Sequence, residues 1–293
     1  IRDLRAMRVR LLRLVGVLEH PVVVPSKPGF SFTTTVRGAL ESVAWREETF
    51  RGLSGLLKSD SAVYPGQGQS SITLGVVENG EPTERLSVAL GLWGERAITA
   101  GEAIVEALSR AGDVGQYGFD LGGRRVGCRF ERGLCTDGTL GDHLDALCER
   151  WRTRDATRVT ARFVTPCEAP AHDLAALAGD AALALVRLQM TEGVRGRDDA
   201  LRARVDALAD AARDHVRASF AGTREVARSL GDERGGTRRS RSTGRRYPVR
   251  GREGTITLAG ELAPCLPWLA LLTLWGAGGR RSLGMGRVEV TAE

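Results

Sequence analysis

Gly276-Ala277-Gly278-Gly279-Arg280-Arg281-Ser282-Leu283-Gly284-Met285-Gly286-Arg287 lies between an apolar, helix-like run and a final strand-like run. Five glycines and three arginines share these twelve positions. Glycine lets the backbone take positive φ and come close to another chain, and arginine supplies charge-assisted, often bidentate hydrogen bonds to phosphate. A nucleic-acid backbone suits that chemistry. The segment is too long and too arginine-rich for a dinucleotide fingerprint, and no Gly-Lys-Ser/Thr follows a strand as a P-loop requires. The plain alternative is a glycine-rich hairpin that only turns the chain.

Working outward, the pattern before this segment divides into two similar halves. Met7, Val9 and Leu11 alternate with Arg8 and Arg10, the period of a strand that is expected to run to about Leu18. A proline-rich loop follows, then a helix over about 35–46 with Val36, Ala39, Leu40 and Val43 at helical spacing. Strands are expected at about 71–77 and 86–93, a helix at 97–111 and a strand at 124–130. This β-α-β-β-α-β order predicts a ferredoxin-like domain, the arrangement that also underlies RNA-recognition modules. A linking helix at 140–152 leads to a strand at 158–164, helices at about 171–190 and 198–220, strands at 247–250 and 255–262, a helix at 266–275 and a last strand at 287–291. The fold class is therefore α+β, two tandem ferredoxin-like domains over 1–154 and 155–293. The second carries helical elaboration, a basic loop at 224–246 and the glycine-rich loop at 276–287.

Composition narrows the function classes. The chain has 293 residues and a net charge of +6. Of its 42 basic residues only Lys27 and Lys58 are lysines, which leaves 40 arginines. A basic chain attracts polyanions, and arginine grips phosphate better than lysine does. The five cysteines are scattered without a C-x-x-C pair, which argues for small buried residues in a reducing compartment rather than a zinc site or a disulfide framework. The longest apolar run, 262–275, contains Pro264 and Pro267 and is short for a membrane span. The first residues show no signal-peptide pattern. A cytoplasmic protein with no membrane partner is expected.

The motifs resemble a known family. Gly276-x-Gly278 followed by Gly284-x-Gly286-Arg287-Val288-Glu289-Val290 is similar to the C-terminal glycine-rich loop of the CRISPR precursor-RNA-processing endoribonucleases, the CRISPR-associated (Cas) family six of the RAMP superfamily. Val36-Arg37-Gly38-Ala39-Leu40 resembles the start of that family's first helix, and Phe163-Val164-Thr165-Pro166 its mid-chain strand end. Arg238-Arg239-Ser240-Arg241 before Gly254-Thr255-Ile256-Thr257-Leu258 resembles the basic lead-in to its later strands. The likeness covers essentially the whole chain.

The resemblance implies antiviral RNA processing: an endoribonuclease that cleaves CRISPR repeat RNA without a metal or other cofactor, by attack of a ribose 2′-hydroxyl on the adjacent phosphate. It also implies that the crRNA stem-loop product stays bound, with other CRISPR effector subunits as further partners. Such a reaction needs a base near the 2′-hydroxyl, an acid near the leaving oxygen, and cations or amides around the phosphorane. The family's general-acid/base histidine belongs to the first domain, yet no histidine lies between Pro21 and Asp142. His20 is the nearest positional match and the candidate catalytic residue. His143 and His215 on charged helices and His172 at a helix start read as surface or capping residues, and Tyr64, Ser31, Thr33 and Lys27 have no spacing that singles them out. The RNA-binding candidates are Arg37, Arg238, Arg239, Arg241, Arg245, Arg246, Gly278, Arg280, Arg281, Ser282, Gly284, Gly286 and Arg287. Two other readings remain open: a non-catalytic RAMP subunit that binds guide RNA, and an unrelated basic α+β protein whose glycine loop binds a nucleotide or only turns the chain.

Overall fold

The computed structural model describes residues 2–23, 32–57, 63–64, 70–76, 82–121, 124–152, 156–168, 173–194, 196–239, 246–278 and 286–293. In chain order the elements are α1 (Arg2–Arg5), β1 (Arg8–Val23), α2 (Phe32–Arg46), a 3-10 turn (Glu48–Leu53), α3 (Ser54–Leu57), β2 (Ile72–Val76), β3 (Pro82–Trp93), α4 (Glu95–Thr99) and α5 (Gly101–Ala111). Then come β4 (Phe119–Leu121), β5 (Arg124–Val126), β6 (Cys128–Thr139), α6 (Leu140–Arg152), β7 (Arg158–Cys167), α7 (Leu174–Thr191), α8 (Asp199–Ser219), β8 (Thr223–Leu230), β9 (Arg234–Arg239), β10 (Arg246–Gly260), α9 (Leu266–Trp275) and β11 (Val288–Ala292).

The described residues form two compact units. One is Arg8–Gly138; the other joins the residues before Arg8 to those after Gly138. The first unit's main sheet has the order β2-β3-β1-β6, with β3 antiparallel to both β1 and β2. With β6 as the fourth strand this is the 2-3-1-4 order of a ferredoxin-like domain. Its register explains the core. Val76, Val88 and Leu14 lie in one cross-strand row, and Leu74, Leu90 and Leu12 in the next. Those apolar rows are met by Val36, Leu40 and Val43 of α2 and by Ile104 and Leu108 of α5, in one buried cluster. Alternation along β3 puts Leu86, Val88, Leu90 and Leu92 on that face, where each is 1% exposed or less.

The second unit repeats the plan. Its sheet runs β11-β7-β10-β8, with β9 paired to the first half of β10. Val159, Ala161 and Phe163 of β7 face Ala292, Val290 and Val288 of β11. On the other side Val159 and Ala161 lie opposite Leu258 and Ile256 of β10. The ends of the helical layer are capped from the sequence. Thr139 and Asp142 exchange hydrogen bonds at the start of α6, and the carboxylates of Asp173 and Asp198 accept from Ala175 N–H and Leu201 N–H at 2.9 and 2.8 Å. α9 is apolar on nearly all sides. Fully burying Leu269, Leu271 and Leu272 contributes on the order of 1.5–3 kcal/mol for each side chain.

The tandem ferredoxin-like class expected from the pattern is the observed one, with several corrections. β1 runs on to Val23, and β6 extends to Thr139, well past the expected end. The helix expected at 97–111 is two, α4 and α5, separated at Ala100. Much of the basic loop expected at 224–246 is strand: Thr223–Leu230 pairs with β10, and so does Arg234–Arg239. The two strands expected at 247–262 are one, β10. By contacts the units also part at Gly138 rather than 154, because α6 packs on α9 and takes the Met7 carbonyl as acceptor for the Leu140 N–H. Among the described residues one helix, α7, is long and apolar enough to cross a membrane by length and composition, but half of it is buried among protein, as a core helix is.

Candidate nucleic-acid interface

The glycine-rich segment begins where α9 stops. Of its residues, 276–278 and 286–287 are described, and Arg280, Arg281, Ser282 and Gly284 lie outside the described residues. The two described ends are pinned together: Ala277 N–H donates to the Gly286 carbonyl at 2.7 Å. The 286–287 end is also pinned to the end of β7. Gly286 N–H donates to the Pro166 carbonyl at 3.0 Å, Arg287 N–H to the Thr165 hydroxyl at 2.9 Å, and Val164 N–H to the Arg287 carbonyl at 2.9 Å. The Thr-Pro strand end and the glycine segment, distant in sequence, thus build one platform.

Two glycines are required there. Gly286 has φ +69°, and a Cβ on it would stand 1.7 Å from the Ala277 carbonyl oxygen. Gly278 has φ +75°, and its Cβ would stand 2.9 Å from the Glu168 carbonyl oxygen and 3.2 Å from the Cys167 Sγ. Any L side chain is strained at these angles and collides with backbone besides. Next to them, the Arg287 guanidinium binds Glu289 at 3.0 Å, and Glu289 lies across the sheet from the exposed Arg162.

The other basic element of this unit is the β9–β10 ribbon. Its register sets Arg239 opposite Arg246 and Arg238 opposite Tyr247. The expected basic run is therefore carried on an antiparallel pair of strands off the main sheet path, with Arg241 and Arg245 outside the described residues.

His20 belongs to the other unit. It is exposed on β1, inside the stretch between Val17 and Val22 where the register with β3 shifts. Its neighbour Glu19 fixes the strand locally: Glu19 N–H donates to the Gly127 carbonyl at 3.1 Å, and the Glu19 carboxylate accepts from Gly127 N–H at 3.2 Å. His143, expected at a surface, is instead buried on α6. His215 is exposed on α8 and meets the Trp268 ring edge-on at 5.8 Å. His172 lies outside the described residues, as do Lys27 and Ser31. Tyr64 is buried, and the buried Thr33 hydroxyl accepts from Val76 N–H at 2.9 Å.

Arg37, expected among the RNA-binding residues, has a different place. It is 6% exposed; its Nε donates to Glu41 at 2.8 Å and its Nη2 to the Leu57 carbonyl. The guanidinium ties α2 to α3 inside the first unit, and the correction follows from a carbonyl that only the tertiary fold brings near. Sequence reasoning missed Glu289 as the partner of Arg287 and the Thr165 hydroxyl as an anchor. It also missed a cluster of arginines around Tyr117, which no motif announces.

No protein-family model and no curated protein matches the chain. Its fold does match solved structures. A Thermus thermophilus Cas6 product complex superposes with a TM-score of 0.50 at 14% identity, covering 98% of this chain and 100% of that one. A partial Cas6-RT-Cas1–Cas2 complex superposes with a TM-score of 0.52 at 10% identity, covering 98% of this chain and 46% of that one. The chain has a Cas6-like fold, from its first strand to its last.

Proposed function

We propose that the chain binds the stem-loop of CRISPR repeat RNA and cleaves it by metal-independent attack of a ribose 2′-hydroxyl on the adjacent phosphate. The observation that carries this reading is the glycine platform: a segment with Arg280 and Arg281 at its middle, its two ends tied together and its 286–287 end held on Thr165 and Pro166 of β7, in a fold that spans the full length of a Cas6 solved with its product. Backbone amides and guanidinium groups gathered at one loop stabilise charge that develops on a phosphorane. The β9–β10 ribbon, with Arg238, Arg239 and Arg246, supplies phosphate contacts along the stem, and the low aromatic content argues for recognition by backbone and hairpin shape rather than by broad stacking. His20, exposed on β1, is the proposed base. The retained product is the proposed link to other CRISPR effector subunits, in the cytoplasm.

Purified protein incubated with a repeat hairpin from its own locus in EDTA tests this. Expected are a single cut, a 2′,3′-cyclic phosphate end, and no cut when the scissile ribose is 2′-deoxy. Tight hairpin binding with no cut in any buffer would assign the chain to the non-catalytic guide-RNA subunits. Binding of mononucleotides but not hairpins would overturn both readings.

A further inference from the structure

Val159, Ala161 and Phe163 are buried on one face of β7, beside Ile256 of β10 and Val288 of β11. Alternation along the strand sends Thr160 and Arg162 to the other face. The ladders complete two rows there: Glu289, Arg162 and Thr255, and next to them Thr291, Thr160 and Thr257. Arg162 and Thr291 are exposed and the other four are partly so. Thr160 and Thr257 join their hydroxyls at 2.9 Å. None of these six side chains is apolar, so the rows lack the buried anchor on which a protein partner depends. Guanidinium and hydroxyl groups are instead the usual contacts of a sugar-phosphate chain.

Arg287 adds a second guanidinium beside the first row. Its backbone is held from two sides, the N–H on the Thr165 hydroxyl and the carbonyl on the Val164 N–H, and its Nη2 donates to Glu289 at 3.0 Å. Glu289 also lies directly opposite Arg162, which joins no ion pair among the described residues. One carboxylate is thus set beside two arginines, and a positive charge is left over. The nearest other acids do not cancel it. Glu293 is set against Arg158 by backbone hydrogen bonds of 3.1 and 2.9 Å, Glu253 falls in the register shift between Arg252 and Gly254, and Glu168 lies past the end of β7. Glu225 of β8 is paired with Arg228 at 2.5 Å.

We propose that Arg162 and Arg287 form a phosphate-binding pair on the open face of the second unit's sheet, with Glu289 as their resident counter-ion. A backbone phosphate of the RNA strand leaving the glycine platform takes the N–H groups that Glu289 leaves unused, and the adjoining riboses lie over the threonine rows. The site goes beyond the glycine platform and rests on the reading of the chain as an RNA-binding protein.

The affinity of the full chain is measured against salt concentration with two probes, a repeat stem-loop carrying its unpaired flanks and a twelve-nucleotide oligouridylate. Arg162→Gln and Arg287→Gln should each lower the slope of log affinity against log salt by about 0.7 to 0.9 in magnitude. Arg287→Gln leaves the platform in place, because backbone groups make its hydrogen bonds to β7; unchanged urea unfolding checks this. Arg204→Gln, which removes an exposed charge on α8 of the same unit, should leave the slope as it is. Glu289→Gln keeps an acceptor for Arg287 but removes the charge that repels phosphate, and should tighten binding by about 1.4- to 5-fold. A full slope in Arg162→Gln, or an equal loss in Arg204→Gln, would overturn the pair while leaving the stem-loop reading standing. Weaker binding by Glu289→Gln would overturn the counter-ion. Binding of oligouridylate but not of the stem-loop, with the slope still dependent on Arg162, would uphold the pair and overturn the stem-loop reading; no binding of either RNA overturns both.

Discussion

The amide of Gly286 reaches the carbonyl of Pro166 at 3.0 Å, so the far end of the glycine segment is seated on the end of β7. With φ +69° and the Ala277 carbonyl in the space a methyl group would take, Gly286→Ala is expected to cost about 2 kcal/mol or more. Urea unfolding checks the cost. RNA affinity in the folded fraction should fall as well, because the loop ends part.

Replacing Arg280 and Arg281 with alanine should weaken hairpin binding and lower the slope of log affinity against log salt by about 1.4 to 1.8 in magnitude, the share of two phosphate contacts. An unchanged slope would remove both arginines from the interface.

Arg37 gives the opposite signature. Its guanidinium is buried on Glu41 and the Leu57 carbonyl, so Arg37→Ala should destabilise the first unit by about 2–4 kcal/mol. The salt slope of hairpin binding should stay where it is. A loss of affinity at full stability would return Arg37 to the RNA surface.

If cleavage follows the 2′-hydroxyl route, His20→Ala should slow it by roughly 10²- to 10⁴-fold with hairpin affinity nearly intact. Single-turnover rates decide this, and a wild-type rate in the variant excludes His20.

Burial pushes the thiols of Cys128 and Cys265 up to about 12 and that of Cys148 to about 11. In the unfolded chain a thiol titrates near about 8.5, so the native state favours the protonated form. The stability this contributes is intact below about pH 8.5 and is lost as pH rises toward the folded values, because the unfolded chain gives up its protons first. Cys265→Ala should therefore flatten the decline of stability between about pH 9 and 11 by about 1.4 kcal/mol per pH unit. Of the five thiols, the exposed Cys135 should be the one that reacts with a thiol reagent before unfolding.

How far the sequence reveals the fold depends on what each segment buries. β3 and α5 were readable because Leu86, Val88, Leu90 and Leu92, or Ile104 and Leu108, each meet one core and repeat with its period. β8 reads as loop because Arg224 to Ser229 are exposed and follow no apolar rhythm; backbone pairing to β10 makes it a strand. The part of β6 past Phe130 escapes the pattern for the same reason, its residues 132–137 being exposed. α6 was found as a helix, but an amphipathic stripe does not say which core it will face, and it went to the second unit. The glycine platform was visible as two motifs, Thr165-Pro166 and the C-terminal glycines. Their union was not, since it consists of hydrogen bonds over more than a hundred residues of chain.

Leu4 and Met7 are 5% and 3% exposed, Arg5 pairs with Asp145 at 2.5 Å, and the Gln189 amide donates to the Asp3 carbonyl at 2.9 Å. The opening residues thus complete a unit whose other parts lie beyond Gly138, and Arg8–Gly138 is inserted within it. During synthesis the inserted unit can fold while its host is still being made, whereas α1 must wait, tethered and unburied, for α6 and α7 to emerge. A fragment cut at Gly138 would accordingly yield one self-sufficient piece and one with an open apolar seam.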